Sequence, residues 1–116
     1  MDNVDKDNNI EILPRVILSK TEKTEYLNSV ISRTHKILHL IEEEKIKGYS
    51  PRPFITNLMF ELKAADGLYD NKFVTIIVKL EGIRKQYKDM EFCDIKKQIF
   101  EIKRIINRML KELPED

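Results

Sequence analysis

The stretch FCDIKKQIFEIKRIINRMLKEL, residues 92–113, repeats apolar residues at alternating intervals of three and four positions. The repeated residues are Phe92, Ile95, Ile99, Ile102, Ile106, Met109 and Leu113. An α-helix has about 3.6 residues per turn, so this spacing aligns all of them on one face. The stripe covers about three heptads, the lower limit for an independent coiled coil. We therefore expect a helix whose apolar face packs into the protein's own core.

Two earlier segments have the same periodicity and clear boundary signals. The first helix is predicted over residues 21–47, with Ser19 in a capping-box pattern at its start and Gly48 as its stop. The second is predicted to start with Ser50 as N-cap and to end at Gly67. Pro51 then occupies the first helical position, where its missing N–H costs nothing.

The third segment is ambiguous between helix and strand. Residues 73–78, FVTIIV, are β-branched and favour a strand when taken alone, and Gly82 weakens a helix interior. However, apolar residues keep helical spacing as far as Tyr87, and no second strong strand is available to pair with this one. The sequence therefore predicts a helix, with Asp70 as its cap.

Asp89 and Asp94 are the candidate caps of the last helix.

Composition agrees with a helical domain. The chain has 116 residues, of which 41% are hydrophobic, and it contains few turn residues, with three Gly and four Pro. A β-sandwich of this length would need more turn residues. We expect an all-α, antiparallel up-and-down four-helix bundle over residues 19–116. Residues 1–18 are expected to form a disordered to extended N-terminal arm, polar first and then apolar with a break at Pro14.

Charge and cysteine content limit the classes of function. The formal net charge of +1 gives no general attraction to nucleic acid or anionic lipid. The single Cys93 excludes an internal disulfide, and we expect it to be partly buried. With no signal peptide and no apolar run of about 18 residues, we expect a cytoplasmic protein without an integral membrane segment.

No set of residues has the pattern of a catalytic or metal site. His35 and His39 lie four positions apart on the first helix, but no third histidine or metal-binding motif accompanies them. Phosphate-binding loops, nucleophile elbows and Cys-x-x-Cys pairs are absent from the sequence. We therefore expect a protein that is not an enzyme and that holds no metal and no cofactor.

Two groups of residues are candidate partner-binding sites. The loop YSPRPF presents Tyr49 and Arg52, a combination common in interface hot spots. On the last helix a basic stripe lies opposite the apolar one and could neutralise phosphates. The stripe consists of Lys97, Arg104, Arg108 and Lys111. A solvated charged face is the simpler explanation, because charged residues are common on exposed helix faces.

The layout of residues 19–85 resembles the immunity proteins of class II bacteriocins. The resemblance rests on a Lys/Glu-rich helix, a Pro-containing break, the helix opening PFITNL, the Asn71-Lys72 turn and a helix ending in Ile83-Arg84. It implies a small bacterial four-helix bundle in the cytosol that protects the producer by binding the bacteriocin–receptor complex. This sequence departs from the family in its N-terminal arm and in its long heptad helix.

Two hypotheses about function follow. The first is a non-enzymatic helical interaction protein that binds a protein partner, with immunity as its most specific form. The alternative is a nucleic-acid-associated accessory or regulatory protein, of phage, plasmid or defence-system type, that uses the basic stripe of the last helix. The sequence leaves open whether the protein is a monomer or a homodimer.

Overall fold

The computed structural model describes residues 18–114 and contains four α-helices. They are α1 (Lys20–Lys47), α2 (Arg52–Ala65), α3 (Val74–Gln86) and α4 (Phe92–Lys111). Short 3-10 helices, Asp66–Tyr69 and Tyr87–Asp89, lie within the connections on either side of α3. Within this part of the chain there is no strand. The predictions for residues 1–17 lie outside the described residues.

The four helices form the predicted antiparallel up-and-down bundle. Each helix packs against the next along the chain, and α4 closes the bundle by packing against α1. The pairs α1–α4 and α2–α3 share the most extensive contacts. The heptad stripe of α4 is the centre of the core, as predicted. Its fully buried members are Ile95, Ile99, Ile102 and Ile106.

The boundaries of α1 are those that the sequence predicts. The Ser19 hydroxyl accepts a hydrogen bond from the Glu22 N–H at 3.1 Å, and the Glu22 carboxylate accepts one from the Ser19 N–H at 2.9 Å. Gly48 ends the helix with φ 79°, in the left-handed region that costs glycine little. Ser50 is not the N-cap of α2 as predicted, because the helix begins at Arg52 and Pro51 is its N-cap residue. The Ser50 hydroxyl nevertheless accepts a hydrogen bond from the Arg52 N–H at 3.1 Å.

The connection between α2 and α3 differs from the prediction. Gly67 does not stop α2, which ends at Ala65 and continues as a 3-10 helix that contains Gly67. Asp70 does not cap α3, because it takes a left-handed conformation with φ 55°. Phe73 is the N-cap residue, and no side chain caps α3. The Asp66 carboxylate accepts a hydrogen bond from the Phe73 N–H at 3.0 Å and so holds the connection just before the helix. This contact spans seven residues and forms only after the intervening chain has turned.

Residues 74–78 belong to the helix α3, as predicted. Three side chains at helical spacing, Ile76, Leu80 and Ile83, are buried in the core, and this packing outweighs the local preference for a strand. The helix α4 begins at Phe92, where the predicted apolar stripe begins, but its cap was predicted wrongly, and Asp94 lies inside its first turn. Glu91 precedes the helix without a side-chain hydrogen bond to it, whereas Asp89 lies in the preceding 3-10 helix.

Candidate functional site

An apolar groove runs between α2 and α3 on the outside of the bundle. It has a volume of about 540 Å³. We call it the α2–α3 groove, and it is lined by Thr56, Met59, Phe60, Lys63, Ile77, Val78, Glu81 and Arg84. Phe60 and Val78 are its most exposed apolar residues, with 63% and 65% of their surface accessible. Large apolar side chains exposed together are unusual on a protein that has no partner.

The helical period explains why these side chains point outward. Leu58 and Leu62 face the core from α2, and Phe60 lies midway between them, about 200° around the helix from each. On α3, Val74 and Val78 are four positions apart on an outer face, while Ile76 and Leu80 are buried. Folding of the bundle therefore leaves Phe60, Val74 and Val78 accessible.

The charges at the rim of the groove are largely paired within α3. The Arg84 guanidinium donates to both carboxylate oxygens of Glu81, at 3.0 and 2.7 Å, and the Lys85 ammonium lies 3.3 Å from the same carboxylate. The hydrogen bond from Arg84 is the main reason that the pKa of Glu81 falls to about 2. Lys63, on the α2 side, has no ion pair within residues 18–114 and is the unpaired cation of the rim.

The two loop residues predicted to bind a partner have different environments. Tyr49 is 79% exposed. Arg52 is partly buried: its Nε donates to the backbone carbonyl of Arg84 at 2.9 Å, and its guanidinium lies 4.9 Å from the centre of the Tyr87 ring. The planar guanidinium thereby joins the start of α2 to the end of α3. Arg52 therefore has a structural role in addition to any contact with a partner.

A second cleft, of about 560 Å³, lies beside these residues at the end of the bundle. Its principal polar groups are the Tyr87 hydroxyl and the Glu44 carboxylate, which form a hydrogen bond of 2.6 Å. Burial, followed by this hydrogen bond, raises the pKa of Tyr87. The two groups satisfy each other and tie α1 to the end of α3, so this hydrogen bond is a structural contact. Lys45 and Lys88 also line the cleft, and the Lys88 ammonium lies 3.8 Å from the Glu44 carboxylate.

The basic stripe of α4 is exposed. All four predicted residues, Lys97, Arg104, Arg108 and Lys111, lie on the outer surface. None of them forms an ion pair within residues 18–114, although Arg104 exerts a weak attraction on Glu101. Lys96 adds a further exposed cation, and the Lys103 ammonium lies 5.0 Å from the centre of the Phe100 ring.

Two acidic residues, Glu101 in α4 and Glu112 just after it, pair with lysines that lie outside the basic stripe. The Glu101 carboxylate accepts a hydrogen bond of 2.7 Å from Lys79, and this contact is the main cause of its lowered pKa. Glu112, just beyond α4, pairs with Lys72 at 3.3 Å. These two carboxylates are therefore held by Lys79 and Lys72 and form no ion pair with the cations of the stripe.

The histidines and the cysteine do not converge. His35 and His39 are exposed on α1, and the His39 Nε2 lies 2.9 Å from the Glu43 carboxylate. Cys93 is exposed, contrary to the prediction that it is partly buried, because it lies on the outer side of the first turn of α4. Among residues 18–114, no three of His, Cys, Asp or Glu are close enough to hold a metal ion.

The α2–α3 groove was not predicted from the sequence. The sequence assigns Phe54, Leu58 and Leu62 to the core, but Phe60 lies outside that stripe. A signal was nevertheless available, because Phe60, Val74 and Val78 are large apolar residues at positions where the helical period predicts polar ones.

The comparisons with known proteins identify no relative. No family model matches the chain, and no curated protein or solved structure is significantly similar to it. In the part of the chain that the structure describes, no helix has both the length and the apolar character that crossing a bilayer requires.

Proposed function

We propose that this protein is a cytoplasmic, non-enzymatic interaction protein that binds a helix of a partner protein in the α2–α3 groove. The observation that carries the proposal is the joint exposure of Phe60 and Val78 on the two walls of one groove. Each wall supplies an apolar anchor, and burial of such anchors supplies most of the free energy of docking.

A helix is the occupant that fits a groove between two neighbouring helices. An amphipathic helix would place apolar residues three or four positions apart between α2 and α3, as in the helix-in-groove mode of recognition. It would thereby add a further layer to the bundle by the same packing of ridges into grooves that joins α2 to α3. A single extended strand would leave its backbone N–H and C=O groups unpaired on this surface.

The rim charges add a chemical preference. Glu81 is already paired with Arg84 and Lys85, whereas Lys63 has no ion pair within residues 18–114. An acidic side chain on the partner helix, placed near Lys63, would complement the rim. The partner is therefore expected to be an apolar-faced helix that carries a carboxylate at one edge.

Selection from a displayed library of helical peptides tests this function with the purified protein. We expect enrichment of peptides with apolar residues at i, i+3 or i+4, and i+7, and we expect their binding to be lost in the variants Phe60→Lys and Val78→Lys. Ser32→Lys, an exposed position on α1, is the matched control and should bind normally. Failure to enrich such peptides, or equal binding by all variants, would refute the proposal.

The most specific form of this function is bacteriocin immunity in a bacterium. It is supported by the resemblance of residues 19–85 to the class II immunity proteins and by the helical bundle itself. The neighbouring genes test it. A bacteriocin gene beside this one is the expected result, whereas phage or plasmid replication genes there would contradict immunity and favour a nucleoprotein accessory.

A further inference from the structure

The outer face of α4 places an exposed aromatic ring among cations. Phe100 is 54% exposed, although it lies on a helix whose opposite face forms the core. Lys96 and Lys97 precede it by four and three positions, and Lys103 and Arg104 follow it by three and four. These are the positions that neighbour a residue on a helix surface, so the ring is surrounded by four positive side chains.

These cations are available to an external anion. The helix carries six basic and two acidic residues, and its carboxylate in this region, Glu101, is held by Lys79 of α3. Lys96 and Lys97 have no ion pair within the described part of the chain, and the same is true of Arg108 and Lys111 farther along. From Lys96 to Lys111 the cations extend for about 22 Å along the helix axis.

We propose that this face binds single-stranded nucleic acid. The cations would lie along the phosphate backbone, and an unpaired base would stack on the Phe100 ring, the combination found on surfaces that bind single strands. A duplex offers phosphates but no free base face, and it would leave Phe100 without a contact. This surface is distinct from the α2–α3 groove, so the inference goes beyond the proposed protein binding.

An anionic membrane is the other polyanion that such a face could meet, and the structure disfavours it. A helix that binds the bilayer interface buries a broad apolar face among the lipids. The apolar face of α4 is already committed to the core through Ile99, Ile102 and Ile106, which leaves Phe100 as the exposed large apolar side chain of the helix. A single ring among cations suits a base better than a bilayer.

Fluorescence anisotropy with a labelled oligothymidylate of about twenty nucleotides, in about 50 mM NaCl, tests the inference. We expect the single strand to bind more tightly than a duplex of equal length. Phe100→Leu should weaken binding about fivefold or more, because the stacking contact is lost. The double variant Lys97→Glu/Arg104→Glu should weaken it about tenfold or more and lower the salt dependence by about two phosphate contacts.

The matched control is Lys36→Glu/Lys45→Glu, two exposed positions of α1, which changes the net charge by the same amount and should bind within about twofold of wild type. Circular dichroism should show that all variants are folded. The double variant Lys97→Gln/Arg104→Gln removes the same two charges without reversing them and provides a milder test of the cations. The inference is overturned by absence of binding, by equal binding of duplex and single strand, by a Phe100→Leu variant of normal affinity, or by tighter binding to phosphatidylserine vesicles than to the oligonucleotide.

Discussion

Arg33 of α1 and Glu61 of α2 form a two-point ion pair, with distances of 2.9 Å between Nη1 and Oε1 and 2.7 Å between Nη2 and Oε2. The Tyr26 hydroxyl donates to the same carboxylate at 2.7 Å. The hydrogen bond from Arg33 is the largest cause of the lowered pKa of Glu61. This pair joins the middle of α1 to the C-terminal part of α2.

The ion pair predicts a pH-dependent stability. Because the folded-state pKa of Glu61 lies below its ordinary value of 4.5, its contribution is fully present above that pH and is lost as the pH falls through the folded-state value. Glu61→Gln should therefore lower the free energy of unfolding by about 1 kcal/mol at neutral pH, a small amount because the pair is partly exposed. Urea titrations of both proteins at neutral and acidic pH measure the difference.

The control for this prediction is Glu25→Gln, an exposed carboxylate of α1 without an ion pair in the described residues. It should change the stability little at either pH. A difference between wild type and Glu61→Gln that is equally large well below pH 4.5 would show that the carboxylate charge is not what stabilises the α1–α2 contact.

Replacement of two glycines by alanine should change the stability of the protein in opposite directions. Gly82 lies inside α3. Apart from its chain neighbours and the backbone of its own helix, no atom lies within 4 Å of the place that a Cβ would occupy, so Gly82→Ala should stabilise the protein by about 0.5–1 kcal/mol. Gly48 has φ 79°, and Gly48→Ala should destabilise it by about 1 kcal/mol. Both effects are measured as shifts of the denaturant midpoint, provided that the dependence of the unfolding free energy on denaturant concentration is the same in all three proteins. A destabilised Gly82→Ala variant would mean that α3 does not pack as described.

Thr34 carries a fully buried hydroxyl that has no hydrogen-bond partner among the described residues. An unsatisfied buried hydroxyl costs about 1–3 kcal/mol, so Thr34→Val should stabilise the protein, by about 1 kcal/mol after the loss of helix propensity is included. Thr34→Ser, which keeps the hydroxyl and loses a methyl group, should destabilise it. Thermal unfolding followed by calorimetry compares the stabilities of the two variants. A destabilised Thr34→Val variant would contradict the conclusion that the Thr34 hydroxyl is buried without a hydrogen-bond partner.

The apolar residues of the α2–α3 groove should contribute little to folding. Phe60→Lys and Val78→Lys are expected to change the free energy of unfolding by no more than about 0.5 kcal/mol, because both side chains are already exposed. Leu80→Ala, at a buried position of the same helix as Val78, should cost about 2–5 kcal/mol. If Phe60→Lys destabilised the protein as strongly as Leu80→Ala, the groove would belong to the core and could not be a docking surface.

Much of the fold was predictable because its signals are local. The apolar stripe of residues 92–113, the capping box at Ser19 and the stop at Gly48 each depend on neighbours within a few residues. The hydrogen bond that holds the connection before α3 was not predictable in this way, since Asp66 reaches the Phe73 N–H only after Asp70 and Asn71 have taken left-handed conformations. Such a contact depends on the turn that the sequence alone did not specify.

The candidate surfaces were predictable only in part. The basic stripe of α4 follows from the seven-residue spacing of Lys97, Arg104 and Lys111. Its separation from Glu101 depends on Lys79, which is remote in sequence and becomes a neighbour only when α3 packs against α4. The engagement of Arg52 was likewise not predictable, because its contact with the Arg84 carbonyl is formed between helices.

The central claim is that the α2–α3 groove binds a partner helix, and site-specific photocrosslinking in the native cell tests it most directly. A photoreactive residue at position 60 should crosslink one protein through a helical segment, and the product should disappear when Val78→Lys is added. The photoreactive residue placed instead at position 32, on the exposed side of α1, should not form this crosslinked product. Crosslinking that is equal from both positions, or that persists with Val78→Lys, would contradict the claim.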